Sequence, residues 1–421
     1  MSLDLRESML SSTARRPATL LAPLAIIATA ALAWLQWKGV TRGIWVDSDV
    51  YVMGAKTLMY GGDLYADSTA VDLRFTYSPF AAAVFVPLAL LPAAVARWTL
   101  TALSLVALVT SIVVVGRQLR LQPWVMIWLG VAAAALEPVL RNLLLGQINL
   151  ILMALVIVDL LVVPRRYRGL LVGVAAGIKL TPAVFVIYFL LKRDWPSVAR
   201  TTGSFALTVL IGSALSWSSS VSFWLGGFLG LGKFGAGAVV GTDNQSLLAA
   251  VLRVLGRPEV PLAAQAVLAI CGVGLGTLAA RRSLRRGGSS AQVEAVAWIA
   301  LGGLLGSPVS WTHHWVWVIV VLAVLASRRE PFMAAVVMAL FWLPIVWMLY
   351  TGLNYQSLTF PWWKGLLSAT YVLTGAALLV VAASSSERCR PTSPDQRKTQ
   401  APQSGPPPYV EACPDKQGEL L

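Results

Sequence analysis

The sequence contains few charged residues, few cysteines and few histidines. Charged residues make up 12% of the 421 positions, whereas an average globular protein has about 25%. Hydrophobic residues make up 57%, and the mean hydropathy is +0.71. The three cysteines, Cys271, Cys389 and Cys413, provide no disulfide framework. A soluble globular domain cannot bury so large an apolar fraction, so the composition excludes that class.

The apolar residues are present in long blocks. Most blocks approach the roughly 20 residues that an α-helix needs to cross a hydrocarbon core of about 30 Å. Backbone groups inside lipid must be satisfied within their own segment, so these blocks should be helices. Seventeen tryptophans agree with this, since indole rings favour the headgroup level. The sequence predicts an all-α, polytopic membrane protein with about 10–13 transmembrane helices.

The net charge of +14 comes largely from short basic clusters between the apolar blocks, at 165–168, 192–193, 281–286 and 328–329. Such placement follows the positive-inside rule. A nucleic-acid-binding protein would instead carry its basic residues along one face or groove. We therefore expect these loops to be cytoplasmic and expect no nucleic-acid partner.

The chain divides into three predicted parts. Residues 1–17 are polar and should be cytoplasmic, and the apolar run to Trp37 is interpreted as a retained first span rather than a cleaved signal peptide. Residues 18–383 form one transmembrane catalytic domain, in which the acid-rich segment 38–76 is the first outer loop. Residues 384–421 are rich in Pro, Ser and Gln and should be a disordered cytoplasmic tail.

Alternation of spans places 218–246, 307–314 and 351–364 on the same outer side as the first loop. The topology of 77–191 stays open, because alternation puts the arginines at 117–120 and 164–168 outside, against the charge rule. A broken hairpin near 179–182 would resolve part of that conflict.

Two aspartates, Asp47 and Asp49, begin a predicted helix that ends near Gly61 and Gly62. One interpretation is that an aspartate caps the helix N-terminus. The other is that one of them is a general base, which needs an ionised carboxylate beside a substrate hydroxyl. The sequence does not choose between these interpretations.

The two histidines of the chain, His313 and His314, are adjacent and follow Trp311 at the outer end of a predicted span. Histidines at an interface serve as hydrogen-bonding anchors or as catalytic groups. Metal binding has little support, because no nearby Cys or Glu completes a site. We expect no required cofactor, and a divalent cation is not supported by the sequence.

Lys179 lies inside an apolar stretch, where a charge is costly and therefore suggests a function. A lipid phosphate is a natural partner, and the alternative is that the side chain snorkels to the interface. Asp159, also in an apolar run, is predicted to form an internal ion pair with Arg165 or Arg166. Further polar side chains at span boundaries suit either loop backbone or sugar hydroxyls: Arg141, Gln147, Asn149, Asn244 and Gln245.

Five motifs together resemble glycosyltransferase family 87, which comprises polyprenyl-phosphate-mannose-dependent α-mannosyltransferases of the GT-C superfamily. They are Asp-Ser-Asp-Val-Tyr at 47–51, Phe-Thr-Tyr-Ser-Pro-Phe at 75–80, Gly-Gln-Ile-Asn-Leu at 146–150, Ile-Lys-Leu-Thr-Pro at 178–182 and Ser-Pro-Val-Ser-Trp-Thr-His-His-Trp-Val-Trp at 307–317. The resemblance covers residues 20–385 and is greatest to α-(1→2)-mannosyltransferases of lipomannan and lipoarabinomannan, with phosphatidylinositol-mannoside mannosyltransferases next. One departure is Ser78, where the family usually has a second proline.

The resemblance implies a site on the outer face of the cell membrane. Asp47 would be the catalytic base, with Asp49 as second choice, and the two histidines would share in catalysis. The resemblance further implies the following binding residues: for the donor phosphate Lys179, Arg74 and Arg141, and for donor or acceptor sugar Tyr51, Tyr77, Gln147, Asn149, Asn244, Gln245 and Trp311. The implied partners are a polyprenyl-phosphate-sugar donor and a glycolipid or lipoglycan acceptor.

Three other functions remain open at this level. A pentosyl (arabinofuranosyl) transferase would also use a polyprenyl-phosphate donor, but with another sugar. A transporter would place ionisable groups on broken helices in paired repeats, but no second segment matches the one around Lys179. A non-enzymatic scaffold would need no acid, lysine and histidine on connected loops.

Overall fold

A computed structural model describes residues 45–227, 239–343, 346 and 361–384. The predicted N-terminal segment 1–17, the predicted first span and the tail from 385 onward lie outside the described residues. All regular structure in the described part is helical, and extended pairing there is limited to two isolated bridges, Ser68 with Arg74 and Asn244 with Trp311. The all-α prediction is therefore confirmed.

The described helices of the first half are α1 Val46–Met59, α2 Pro79–Ala89, α3 Ala93–Gln118, α4 Pro123–Ala135, α5 Glu137–Leu145, α6 Asn149–Leu161, α7 Leu170–Ile178, α8 Val186–Leu191, α9 Trp195–Leu215 and α10 Trp217–Val221. Those of the second half are α11 Leu247–Leu255, α12 Leu262–Arg285, α13 Gly288–Gly306, α14 Val318–Ser327, α15 Pro331–Trp342, α16 Trp362–Leu367 and α17 Thr370–Ser384. Two 3-10 segments, Thr181–Phe185 and Thr312–Trp317, lead directly into α8 and α14.

Within the described residues, three single helices are long and apolar enough to cross a membrane: α3, α9 and α12. The pair α4 and α5, bent by 62°, adds a fourth candidate if it crosses as one span. Six further apolar helices of 10–17 residues accompany them. The chain is thus a membrane protein with several apolar helices, and the number of spans stays a prediction.

Most residues of α13 and α14 are buried, so these two helices form the centre of the bundle. The helix is interrupted at Lys179, as the broken-hairpin alternative requires: α7 ends at Ile178, and Lys179 adopts an extended conformation (φ −143°, ψ 127°). Pro182 favours this break, since it has no N–H to donate to the preceding turn.

Ser78 is the N-cap residue of α2 and joins this helix to the break. Its hydroxyl accepts a hydrogen bond from the Ala81 backbone N–H at 3.2 Å and donates one to the Gly177 carbonyl at 2.5 Å. A proline at position 78 has no hydroxyl to make either bond. The departure from the family pattern therefore provides both a helix cap and a tie to the segment that carries Lys179.

Helices α12 and α13 pack with their backbones in close contact. A Cβ on Gly276 would lie 2.6 Å from the Trp298 carbonyl oxygen and 2.7 Å from the Gly302 Cα, and a backbone cannot move aside as a side chain can. Small residues permit such an approach between membrane helices.

The variant Gly276→Leu is expected to lower the thermal unfolding temperature in detergent, because overpacking a tight interface costs about 1–3 kcal/mol or more. Gly274→Leu on the same helix is the control, since a Cβ there meets nothing within 4 Å. Equal unfolding temperatures for the two variants would contradict the packing described here.

Loops from distant parts of the sequence meet at one end of the bundle. The Trp45 N–H donates to the Leu144 carbonyl at 2.6 Å, the Gln245 N–H to the Ser310 carbonyl at 2.7 Å, and the Asn149 side-chain amide to the His313 carbonyl at 3.2 Å. The described parts of the loops at 38–76, 218–246 and 307–314 therefore lie together, as the alternation of spans predicts.

Candidate functional site

The two N-terminal aspartates of α1 have different surroundings. The N-cap position is occupied by Trp45, in the left-handed conformation (φ 59°), and both aspartates lie inside the first turn. The capping interpretation is therefore wrong. Asp49 forms a bidentate ion pair with Arg97, in which Nε donates to Oδ1 at 3.0 Å and Nη2 donates to Oδ2 at 2.8 Å.

Asp47 points into the cluster of polar residues formed by the loops. Its carboxylate hydrogen-bonds the Gln147 side chain and interacts electrostatically with Lys179 and Arg141. Burial raises the pKa of Asp47 above its ordinary value of 3.8, while the Gln147 hydrogen bond and the two cations oppose that rise. A general base is expected to be a carboxylate that is shielded from solvent and has a raised pKa.

A tight turn holds Gln147 in place. Gly146 ends α5 in the left-handed conformation (φ +68°), and a Cβ there would lie 2.8 Å from the Ser48 Cβ. The Gln147 Oε1 accepts a hydrogen bond from Tyr51 at 2.8 Å and a longer one from Tyr77 at 3.4 Å. Since its oxygen is occupied by the tyrosines, the amide nitrogen is the group left to bond Asp47.

Tyr51 is fully buried and stacks on Phe85 with ring centroids 4.2 Å apart. Its side chain therefore supports Gln147 from within the protein. Tyr77 keeps some exposure, and its ring lies 5.6 Å from the Lys179 Nζ. Of the two tyrosines, Tyr77 is the one that borders accessible space.

Lys179 turns inward instead of snorkelling. Its Nζ donates to the Asn149 Oδ1 at 2.8 Å and lies 3.0 Å from the His314 Nε2. The Asn149 amide nitrogen in turn bonds the His313 carbonyl and the Asn142 Oδ1. The snorkelling interpretation is wrong, because the cation is fixed next to Asp47 by side chains of two other segments.

The imidazole rings of His313 and His314 are nearly perpendicular, at 88°, with centroids 4.8 Å apart. Each ring has one buried nitrogen without a hydrogen-bond partner, Nε2 of His313 and Nδ1 of His314. Buried polar atoms are seldom left unpaired in native proteins. These nitrogens are therefore available to a bound polar ligand.

An apolar pocket adjoins the lysine. Asn149 and His314, which both contact the Lys179 Nζ, form part of its lining, and Met153, Phe185, Gly303 and Trp317 supply apolar wall. A charged head beside Lys179 with an apolar chain in this pocket would match the lining, so the arrangement suits an amphiphilic anion.

Four predicted binding residues remain to be placed: Asn244, Gln245, Arg74 and Trp311. All side-chain amide atoms of Asn244 and Gln245 are hydrogen-bonded to the protein backbone, which leaves none for a sugar. Arg74 is exposed on the first loop, beside its bridge with Ser68. Trp311 is partly exposed and pairs with Asn244 through its backbone.

Asp159 has a structural role. Its two carboxylate oxygens accept hydrogen bonds from the backbone N–H groups of Gly169, at 2.7 Å, and Val172, at 2.8 Å, at the start of α7. The predicted ion pair with Arg165 or Arg166 is therefore replaced by capping of a helix N-terminus, where a carboxylate satisfies free N–H groups.

Two further charged residues, Glu137 and Arg253, are buried at the same end of the bundle and are not among the predicted site residues. Glu137 accepts a hydrogen bond from the Tyr371 hydroxyl at 2.9 Å. Glu137 interrupts the apolar run 123–145. A charge within an apolar run suggests a function, so the criterion that singles out Lys179 applies to Glu137 as well. Among the residues that the structure describes, no three His, Cys, Asp or Glu side chains form a group able to hold a metal ion.

A family model described as glycosyltransferase family 87 matches residues 75–308, which is more than half of the chain. The chain belongs to glycosyltransferase family 87. This family-87 enzyme is similar over 390 residues to two proteins named polyprenol-phosphate-mannose-dependent α-(1-2)-phosphatidylinositol mannoside mannosyltransferase. The one from Mycolicibacterium smegmatis is 38% identical, covering 85% of this chain and 88% of the relative, and the one from Mycobacterium tuberculosis is 34% identical, covering 85% and 89%.

A third relative of this glycosyltransferase, again from Mycolicibacterium smegmatis, is a polyprenol-phosphate-mannose-dependent α-(1-2)-phosphatidylinositol pentamannoside mannosyltransferase. It is 34% identical over 322 residues, which cover 73% of this chain and 75% of the relative. The resemblance drawn from the five motifs is confirmed. The relatives' names include phosphatidylinositol mannosides, the second of the two acceptor classes that the motifs indicate.

Proposed function

We propose that this chain transfers mannose from polyprenyl-phosphate-mannose to a phosphatidylinositol mannoside at the outer membrane face and forms an α-(1→2) linkage. The observation that carries the proposal is the meeting of Asp47, Lys179 and His314, from three distant segments, beside an apolar pocket that His314 helps to line. Membership of family 87 and the names of the relatives support the same chemistry over transport or scaffolding.

The reaction is a single displacement with inversion. Asp47 takes the proton from an acceptor hydroxyl, whose oxygen bonds to the anomeric carbon of the mannosyl donor. The bond from that carbon to the phosphate oxygen breaks, and polyprenyl phosphate leaves with the electron pair. A β-linked donor then gives an α-linked product, because attack and departure occur on opposite faces of the sugar.

The leaving phosphate needs positive charge close by, since negative charge grows on its oxygen as the bond breaks. Lys179 supplies an ammonium group there, and His314 lies 3.0 Å from it. Because an ammonium group has no acceptor, His314 Nε2 accepts from a protonated Lys179, which leaves the unpaired Nδ1 to carry the ring proton. The apolar pocket beside them suits the first isoprene units of the donor.

A transfer assay on the purified full chain in lipid nanodiscs tests the proposal. With radiolabelled polyprenyl-phosphate-mannose and short phosphatidylinositol mannosides, we expect a labelled product that α-(1→2)-mannosidase digests. GDP-mannose and a polyprenyl-phosphate-arabinofuranose donor should give no product. Transfer from the arabinose donor alone would establish the pentosyl alternative, and a product made only on lipomannan would reject the proposed acceptor.

A further inference from the structure

Asp243 is a second carboxylate at the same end of the bundle, and the reaction described above does not use it. Arg141 interacts electrostatically with Asp243 and also with Asp47, so this arginine lies near both carboxylates. Asp243 immediately precedes Asn244 and Gln245, the two residues whose amides the protein backbone occupies.

The backbone around Asp243 is held firmly. The Thr312 N–H donates to the Asp243 carbonyl at 2.9 Å, which fixes it next to the histidine segment. The buried Arg253 donates to the carbonyls of Gly241 at 2.7 Å and Asn244 at 2.9 Å, on either side of it. A side chain on so well anchored a loop is presented in one position, as binding sites require.

The protein leaves one oxygen of the Asp243 carboxylate without a hydrogen bond. Its Oδ1 is enclosed and has no hydrogen-bond partner, while the residue as a whole keeps partial exposure. Since an enclosed carboxylate oxygen without a partner is costly, a hydroxyl donor from a ligand would satisfy it.

The charged groups around Asp243 are Arg141 and Arg253, which favour its ionised form, and Glu137, which opposes it. Burial is the strongest influence and raises the pKa of Asp243 to about 6. An anionic carboxylate would repel the donor phosphate, whereas it accepts hydrogen bonds from hydroxyl groups. Hydroxyl groups of the acceptor sugar are therefore the matching ligand.

We propose that Asp243 is a specificity-determining residue that binds hydroxyl groups of the acceptor sugar, next to the hydroxyl that Asp47 deprotonates. The inference rests on the proposed function, because it assigns the acceptor position of that site. A carboxylate can accept hydrogen bonds from two neighbouring hydroxyls of one mannose, and Arg141 interacts electrostatically with both this carboxylate and the base.

The test is steady-state kinetics of Asp243→Asn with both substrates varied. Losing a hydrogen bond to a charged group should raise the acceptor KM by about 10- to 100-fold, with the donor KM unchanged. Asp194→Asn is the matched control, since Asp194 is buried and also has an unpartnered Oδ1 but lies in the loop between α8 and α9. Its acceptor KM should equal that of the wild type.

The wild-type enzyme offers a second readout that a merely structural aspartate would not give. The carboxylate is charged above a pKa of about 6 and neutral below it. The acceptor KM should therefore rise as the pH falls through that value, and Asp243→Asn should remove this dependence. An acceptor KM that is independent of pH in the wild type, an unchanged KM in Asp243→Asn, or an effect confined to the donor KM would each overturn the inference.

Equilibrium binding separates this inference from the proposed function. Binding of a soluble α-mannoside, methyl α-mannobioside, to wild type and Asp243→Asn needs no turnover. Aspartate-dependent binding without any mannosyl transfer would uphold the sugar site and reject the proposed reaction. Transfer with equal mannoside binding in the two proteins would uphold the reaction and reject the role of Asp243.

Discussion

The variant Asp47→Asn is expected to lower kcat to near background, a fall of about 10²- to 10⁴-fold, since this is the contribution of a positioned general base. The amide cannot take a proton from the acceptor hydroxyl, yet it is nearly the same size as the carboxylate. The KM values for donor and acceptor should change little, and the measurement is initial-rate transfer with both substrates varied.

Asp49→Asn is the control, because it makes the same chemical change two residues along the same helix. It weakens the ion pair with Arg97, whose side chains are 32% and 40% exposed, and such exposed pairs contribute little to stability. We expect it to retain most of the wild-type kcat. Full activity in Asp47→Asn, or equal losses in the two variants, would reject Asp47 as the base.

The pH profile gives an independent check on the same residue. Asp47 must be ionised to accept a proton, and burial raises its pKa above the ordinary 3.8. The acid side of the kcat profile should therefore fall at a pH above that of an ordinary aspartate, with activity present above the raised pKa and lost below it. A rate that stays constant down to pH 4 would contradict this assignment.

The variant Lys179→Met should lower kcat by about 10²- to 10³-fold, the range measured when one group that stabilises developing negative charge is removed. Methionine keeps the length and apolar stem of the lysine but removes the ammonium group beside the Asn149 Oδ1 and the His314 Nε2. Single-turnover rates with saturating donor report this loss without interference from donor binding.

Two further variants show whether the charge is responsible. Lys179→Arg retains the positive charge and should recover part of the rate. Lys192→Met removes another partly buried lysine, which bonds Tyr188 and Gln292, and should leave the rate unchanged. Unaltered catalysis in Lys179→Met would mean that the leaving phosphate is stabilised by other groups.

The amino-acid sequence by itself determined the class of the protein, its family and the types of residue at the site. Hydropathy and charge placement are properties of whole segments, so they can be read from the sequence without knowledge of how the helices pack. The break beside Lys179 also followed from local chemistry, because Pro182 cannot continue the hydrogen-bonding pattern of α7.

Only the tertiary structure decided which candidates act together. Asp47 and Asp49 lie two residues apart on a helix and so point roughly 200° away from each other; their partners, Gln147 and Arg97, come from other helices or loops. The same holds for Asn244 and Gln245, whose amides are used by neighbouring backbone, and for Asp243, which keeps an unpaired oxygen. A side chain's direction and its competition for partners depend on contacts between distant segments, which no local pattern in the sequence contains.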